Sequence, residues 1–219
     1  RCAIVTGVQT CALPIYWIYK LRHPNELRRL RRQVNPSPKG DFSLRSFDRL
    51  GCLFIHITKS AGTSVAMSLF GELPYHYTAT EYRVIFGRRA FNRYFKFAFV
   101  RNPWDRLLSA YSYLCSGGWN EYDRDWFQTN LARVPDFNSF VLDWLTPENL
   151  RSHLHFRPQS DFICDRRGRP LLDWLGYFEN LQEDFAVVAE RLGIETRLGR
   201  VNASARSDYR KTYSQAAIE

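Results

Sequence analysis

The segment FIHITKSAGTS (residues 54–64) runs an apolar stretch straight into Lys59, Ser60, Ala61, Gly62, Thr63 and Ser64. These residue types suit an anion. They offer a full positive charge, small residues that let the backbone come close, and hydroxyl donors. Between a strand and a helix, such a loop adds the free N–H groups of the helix start and the positive end of its dipole. The triphosphate loop GxxxxGK[ST] puts its lysine directly after the second glycine. Here Lys59 comes three residues before Gly62, and no glycine precedes it in the segment. The chemistry is phosphate-like, but the motif is not that of an ATPase. Taken alone, an ordinary turn with a surface lysine reads the same way.

A second group lies in VRNPWDRLLSAY (residues 100–111). Arg101 ends an apolar run, and open α/β sheets bind ligands at the carboxyl ends of their strands. Arg106 and Ser109 are three residues apart and share a helical face. Two guanidinium groups and a hydroxyl around one strand end suit a second phosphate. The competing reading pairs Arg101 with Asp105 and leaves Arg106 on the surface.

Positioning these groups requires particular elements. CLFIHI (52–57) is short and apolar, which predicts a buried strand with His56 alternating between Ile55 and Ile57. GTSVAMSLFG (62–71) predicts a helix closed by Gly71. FKFAFV (95–100) predicts a second buried strand, and Pro103 sits where a helix begins, with the helical period continuing through 103–114. Residues 117–125 read as a loop. Residues 135–145 read as an amphipathic helix with Phe137, Phe140, Val141 and Trp144 inward. Residues 173–178 predict a third strand, and 179–193 the helix after it, closed at Gly193. Near the amino end, 24–34 reads as a short basic helix and 35–41 as a linker. Strands alternating with helices predict an α/β fold with a parallel sheet covered on both faces.

With 219 residues there is room for one such domain, and 45% hydrophobic content excludes a disordered chain. A net charge of +9 points to anionic partners. No apolar run is long enough to span a bilayer. VTGVQTCALPI (5–15) resembles an in-frame translation of a sequencing-library adapter, so residues 1–15 are expected to stand apart from the fold. Beyond them Cys52, Cys115 and Cys164 form an odd set with no CxxC. That suits a reducing compartment and argues against a disulfide framework or a zinc site.

Together, FIHITKSAGTS and FAFVRNPWDRLLSAY resemble the nucleotide-binding segments of sulfotransferases. The likeness is greatest to the branch of carbohydrate sulfotransferases of the chondroitin, HNK-1 and heparan 2-O type. YHYTATE (75–81), HFRPQSDFI (155–163), YFENLQEDF (177–185) and VNASARSDYRKTY (201–213) are similar to other segments of that branch. The resemblance covers roughly residues 51–219, with 16–50 as an amino-terminal extension. The branch usually continues through a last helix, so with the chain stopping at Glu219 the expectation is either a lost carboxyl end or a dispensable last helix.

The resemblance implies a P-loop-like three-layer sandwich around a central parallel sheet. It also implies 3′-phosphoadenosine 5′-phosphosulfate (PAPS) as co-substrate, with no metal. Residues 59–64 would grip the 5′-phosphosulfate, and Arg101, Arg106 and Ser109 the 3′-phosphate. The expected reaction is in-line sulfuryl transfer to a hydroxyl acceptor, in the branch an often acidic glycan, with Lys59 countering charge on the departing oxygen. A histidine suits the base that takes the acceptor proton. His23 lies in the extension, His56 reads as a core residue, and His153 as a helix-surface residue. His76 and His155 remain. His76 ranks first because the related 2-O-sulfotransferases place their base there, and Glu81 is the carboxylate fallback. An unperturbed imidazole would titrate near pH 6.5. Arg157 and Gln159 would hold substrate or order a loop. Nucleic acid is not an expected partner, since the aromatic residues sit in apolar periods and do not interleave with Lys and Arg. The remaining alternatives are a P-loop-type nucleotide kinase or a basic nucleic-acid-binding module. A bacterial-type member would be cytoplasmic, and a truncated animal type II protein would lie in the Golgi lumen.

Overall fold

The computed structural model describes residues 43–199 and 208–219. The basic helix and linker expected over 24–41, and residues 1–15, lie outside these. A short helix α1 (Arg45–Leu50) ends at Gly51 and leads into β1 (Cys52–Ile55), all four of whose residues are buried. Two helices follow, α2 (Gly62–Phe70) and α3 (Ala79–Arg93), before β2 (Phe95–Val100). Then come α4 (Pro103–Cys115), α5 (Glu121–Asn130) and α6 (Phe137–Ser139), the last running into a π-helical turn (Phe140–Trp144). The short α7 (Gln159–Ile163), β3 (Trp174–Tyr177), α8 (Leu181–Arg191) and α9 (Gln215–Ile218) complete the order.

Among the described residues the sheet has three parallel strands in the order β1-β2-β3. Cys52 pairs with Phe95 and Ile55 with Ala98, while Phe97 pairs with Trp174 and Val100 with Tyr177. Because the strands are parallel and in register, the loops after β1 and β2 leave the sheet on the same side. That brings the Lys59 loop beside Arg101. Phe54 stacks on Phe97 across the strand pair with ring centres 5.1 Å apart, and Phe99 packs edge-on against Trp174. Such aromatic pairs stabilise the pairing beyond the apolar area they bury. A second apolar cluster packs on α4 through Leu108, Ala110 and Leu114, with Phe137, Phe140, Phe156 and Tyr213.

Four expectations need correction. The first strand stops at Ile55, so His56 leads the loop and is not a strand residue. Residues 117–125 are not all loop, since α5 starts at Glu121. Asn120 accepts from the Asp123 N–H, and acidic residues fill the first turn, which is how helices begin. The helix over 135–145 widens into a π turn, and Val141 and Trp144 are only half-buried. Finally, His153 is 2% exposed and not on a helix surface. Helix α3 carried no assignment from sequence, because Gly87 (φ 78°) kinks it and breaks its period. Its start is a capping box: Thr78 accepts from the Glu81 N–H, and Glu81 accepts from the Thr78 N–H at 2.7 Å.

Candidate active site

The loop after β1 folds tightly. Lys59 (φ 65°) and Ala61 (φ 59°) both adopt left-handed backbone, which costs about 1–3 kcal/mol each for residues other than glycine. Such turns point successive N–H groups into one concavity, an anion nest. Helix α2 starts at its edge with no side-chain cap, so its first-turn N–H groups have no capping side chain.

Gly62 is needed for a reason the sequence reading missed. A Cβ there would lie 1.9 Å from a ring carbon of His56. The His56 ring is wedged between Gly62, the stacked face of Phe54 and the ring of His76, 4.1 Å away. Gly62→Ala must push that ring into His76. We expect a loss of about 1–3 kcal/mol, the usual cost of overpacking, read as a melting temperature several degrees lower. An unchanged melting curve would contradict the wedge.

Arg101, 6% exposed, takes the Asp105 pairing. Its Nε donates to Asp105 at 2.7 Å, its guanidinium also donates to the Lys59 carbonyl at 3.1 Å, and it stacks over Phe178. It therefore ties the two loops together. Arg106 is also buried and not on the surface. It donates to the Thr58 carbonyl at 2.9 Å and to the Thr58 hydroxyl at 3.0 Å. Burial, and the neighbouring Arg101 charge, push its pKa down to about 10, so it stays cationic at neutral pH. Ser109 Oγ is buried and has no hydrogen-bond partner among the described residues. An orphaned buried hydroxyl is costly unless something completes it.

Gln159 grips both sides of the Arg101 peptide. Its Oε1 accepts from the Arg101 N–H at 2.9 Å, and its Nε2 donates to the Arg101 carbonyl at 2.8 Å. Ser60 Oγ donates to the same Oε1 at 3.4 Å. This is the loop-ordering role. Arg157 precedes α7, with its guanidinium over the Phe162 ring and 3.9 Å from Asp161.

The histidines converge with Lys59. His76 Nδ1 lies 2.8 Å from the His56 carbonyl. A carbonyl only accepts, so Nδ1 carries the proton and Nε2 is left as the acceptor. Burial holds the His76 pKa below 6.5, and the Arg106 and Lys59 charges add to this, against the His56 carbonyl and Asp123. His155 is pushed down to about 2, by burial first and then by Lys59. Its Nδ1 is buried with no hydrogen-bond partner among the described residues. Glu81, the carboxylate fallback, is engaged in its capping box.

Three residues of this cluster escaped the sequence reading. Tyr113 lies under Lys59, whose Nζ is 3.9 Å from the ring centre. The Tyr113 hydroxyl donates to Asp123 at 2.6 Å, and Asp123 lies 3.4 Å from His153 Nε2. Tyr113 had a signal: it follows Ser109 by four residues and so shares its helical face. Asp123 had the Asn120 helix start. His153 had none.

Among the described residues, no set of His, Cys, Asp and Glu is arranged to hold a metal, and Cys52, Cys115 and Cys164 are free. No described helix is long and apolar enough to cross a membrane. Comparison with known proteins agrees with the motif reading. No solved structure matches the chain. An uncharacterised protein of Archaeoglobus fulgidus is 32% identical over 127 residues, which is 57% of this chain and 90% of that protein. A model described as the sulfotransferase family matches residues 45–218, the stretch that holds the Lys59 and Arg101 loops and the histidine cluster. The chain belongs to the sulfotransferase family and is an enzyme of sulfuryl transfer.

Proposed function

We propose that the protein transfers the sulfuryl group of PAPS to a carbohydrate hydroxyl, with His76 as the base. Family membership implies PAPS as the donor, and the residues present suit it. The observation that carries this reading is the orphaned Ser109 hydroxyl, buried beside Arg106 on the face of α4 that meets the Lys59 loop. Among the described residues nothing accepts from it, and a 3′-phosphate would complete it. The nest at 59–64 would hold the 5′ end. When bound, PAPS supplies an activated sulfuryl group whose departure leaves a phosphate.

The rest is work for this chain's own residues. Lys59 stabilises the negative charge gathering on the departing oxygen. His76 Nε2 accepts the acceptor proton, because its Nδ1 proton is held by the His56 carbonyl. Burial and the Lys59 charge lower the His155 pKa, and its ring packs edge-on against Tyr113, which suits a packing role. Arg106 braces Thr58 and supplies positive potential. A net charge of +9 suits an acidic glycan.

The test compares ligands and acceptors. 3′-Phosphoadenosine 5′-phosphate (PAP) should raise the melting temperature more than ATP or an oligonucleotide does. Ser109→Ala should lose most of the advantage of PAP over 5′-AMP, since a hydrogen bond to a charged group is worth about 1.5–3 kcal/mol. Radiolabelled PAPS should then label desulfated chondroitin or a heparan precursor. Stabilisation by ATP equal to that by PAP would overturn the donor assignment. Labelling confined to phenols or small alcohols would overturn the carbohydrate.

A further inference from the structure

We infer that Asp123, acting through the Tyr113 ring, positions the Lys59 ammonium. A lysine side chain has four rotatable bonds and no fixed direction. Here its charge lies 3.9 Å from the centre of the Tyr113 ring, within the range of a cation–π contact. The ring is itself held. Its hydroxyl donates to Asp123 at 2.6 Å, a short bond to a carboxylate that is 5% exposed. Burial and Asp123 both raise the Tyr113 pKa, so the phenol keeps its proton and remains the donor.

Asp123 has further supports. The Trp119 N–H donates to the same oxygen at 3.0 Å, and the other oxygen faces His153 Nε2. His153 Nδ1 accepts from the His155 N–H at 3.3 Å, so its proton sits on Nε2, which lies 3.4 Å from that oxygen without a hydrogen bond among the described residues. Gly118 (φ 62°) leaves the space Asp123 occupies, since a Cβ there would lie 2.2 Å from that of Asp123. His155 packs edge-on against the Tyr113 ring, with centres 4.6 Å apart. The carboxylate thus fixes the phenol, and donation to a carboxylate enriches the ring that attracts the ammonium. Helix α4 offers Arg106, Ser109 and Tyr113 on one face, so one rigid element carries both the phosphate groups and the lysine's platform.

The kinetic consequence rests on Lys59 being the transfer residue, whereas the positioning does not. The test therefore has a spectroscopic arm. In the full chain labelled with ¹³C-lysine, Lys20, Lys39, Lys59, Lys96 and Lys211 report; Lys59→Arg assigns the Lys59 signal. Its Hε resonance should lie upfield in the wild type from the ring current. Tyr113→Leu should return it to the free-lysine position. Tyr113→Phe keeps the ring and Asp123→Asn keeps the shape, yet each should move it at least halfway back. Lys96, tied to Asp173 at 2.7 Å, should not move. With PAPS and desulfated chondroitin, kcat should fall about tenfold in both variants, with the KM for PAPS within about twofold. A Lys59 signal unmoved in both variants overturns the inference, and so does a parallel shift of Lys96, which means general loosening. A shifted signal with unchanged kcat upholds the positioning and removes Lys59 from the transfer step.

Discussion

Lys59→Ala should reduce sulfuryl transfer by about 10²–10³-fold or more, the usual cost of losing one donor to a developing oxyanion. Binding of PAP should weaken far less. The reason is differential. A charge that meets the departing oxygen contributes little to the ground state and most where negative charge accumulates, so its loss falls on kcat. The backbone nest does not depend on the side chain. Alanine at position 59 meets the same left-handed strain as lysine, so the loop should keep its shape. Single-turnover rates with saturating PAPS, set beside calorimetric titration with PAP, separate the two effects. Unchanged turnover would remove Lys59 from the mechanism. Equal losses in binding and turnover would make it a binding residue only.

His76→Ala should cut turnover by about 10²–10⁴-fold with PAP affinity near that of the wild type, since the base meets the acceptor proton and not the nucleotide. The pH profile sharpens the test. The base works unprotonated, so activity falls as pH drops through its pKa. Burial and the Arg106 and Lys59 charges lower that pKa from 6.5. The acid limb should therefore lie below the 6.5 of an unperturbed imidazole, and should vanish in the variant. One control is needed. His56, His76, His153 and His155 all have lowered pKa values in the fold. Below the unfolded value the unfolded chain binds more protons, so stability also declines as pH falls below about 6.5. Melting curves across the same range distinguish lost activity from lost fold. If His155→Ala loses turnover while His76→Ala does not, the roles are exchanged.

The local motifs were legible because local physics makes them. An apolar run too short for a helix had to be a strand, and FKFAFV is β2 to the residue. Pro103 could open α4 because its missing N–H costs nothing there. Gly71 could end α2 because it accepts φ 71° without strain. The Lys59 and Arg101 loops were readable since each is contiguous, with its charges and hydroxyls within a few positions. Helix α5 was missed where Gly117 and Gly118 outweighed the Asn120 start, and the kink at Gly87 hid α3.

The α/β class and the family were therefore already written in the linear chain, as was the clustering of charged, small and hydroxyl residues in two loops. What only the tertiary structure decided was which of those groups are already engaged. Arg101, Arg106 and Gln159 look alike in sequence as ligand contacts, yet each spans 40 residues or more to hold another loop. His153 reads as exposed because nothing near it in sequence predicts that Asp123, thirty residues earlier, will pack beside it. Only the fold shows that the His56 carbonyl holds a proton on His76 Nδ1, and that burial lowers the pKa of both His76 and His155. Desolvation and hydrogen-bond direction are properties of packed neighbours, and packing between distant segments exists only once the chain has folded.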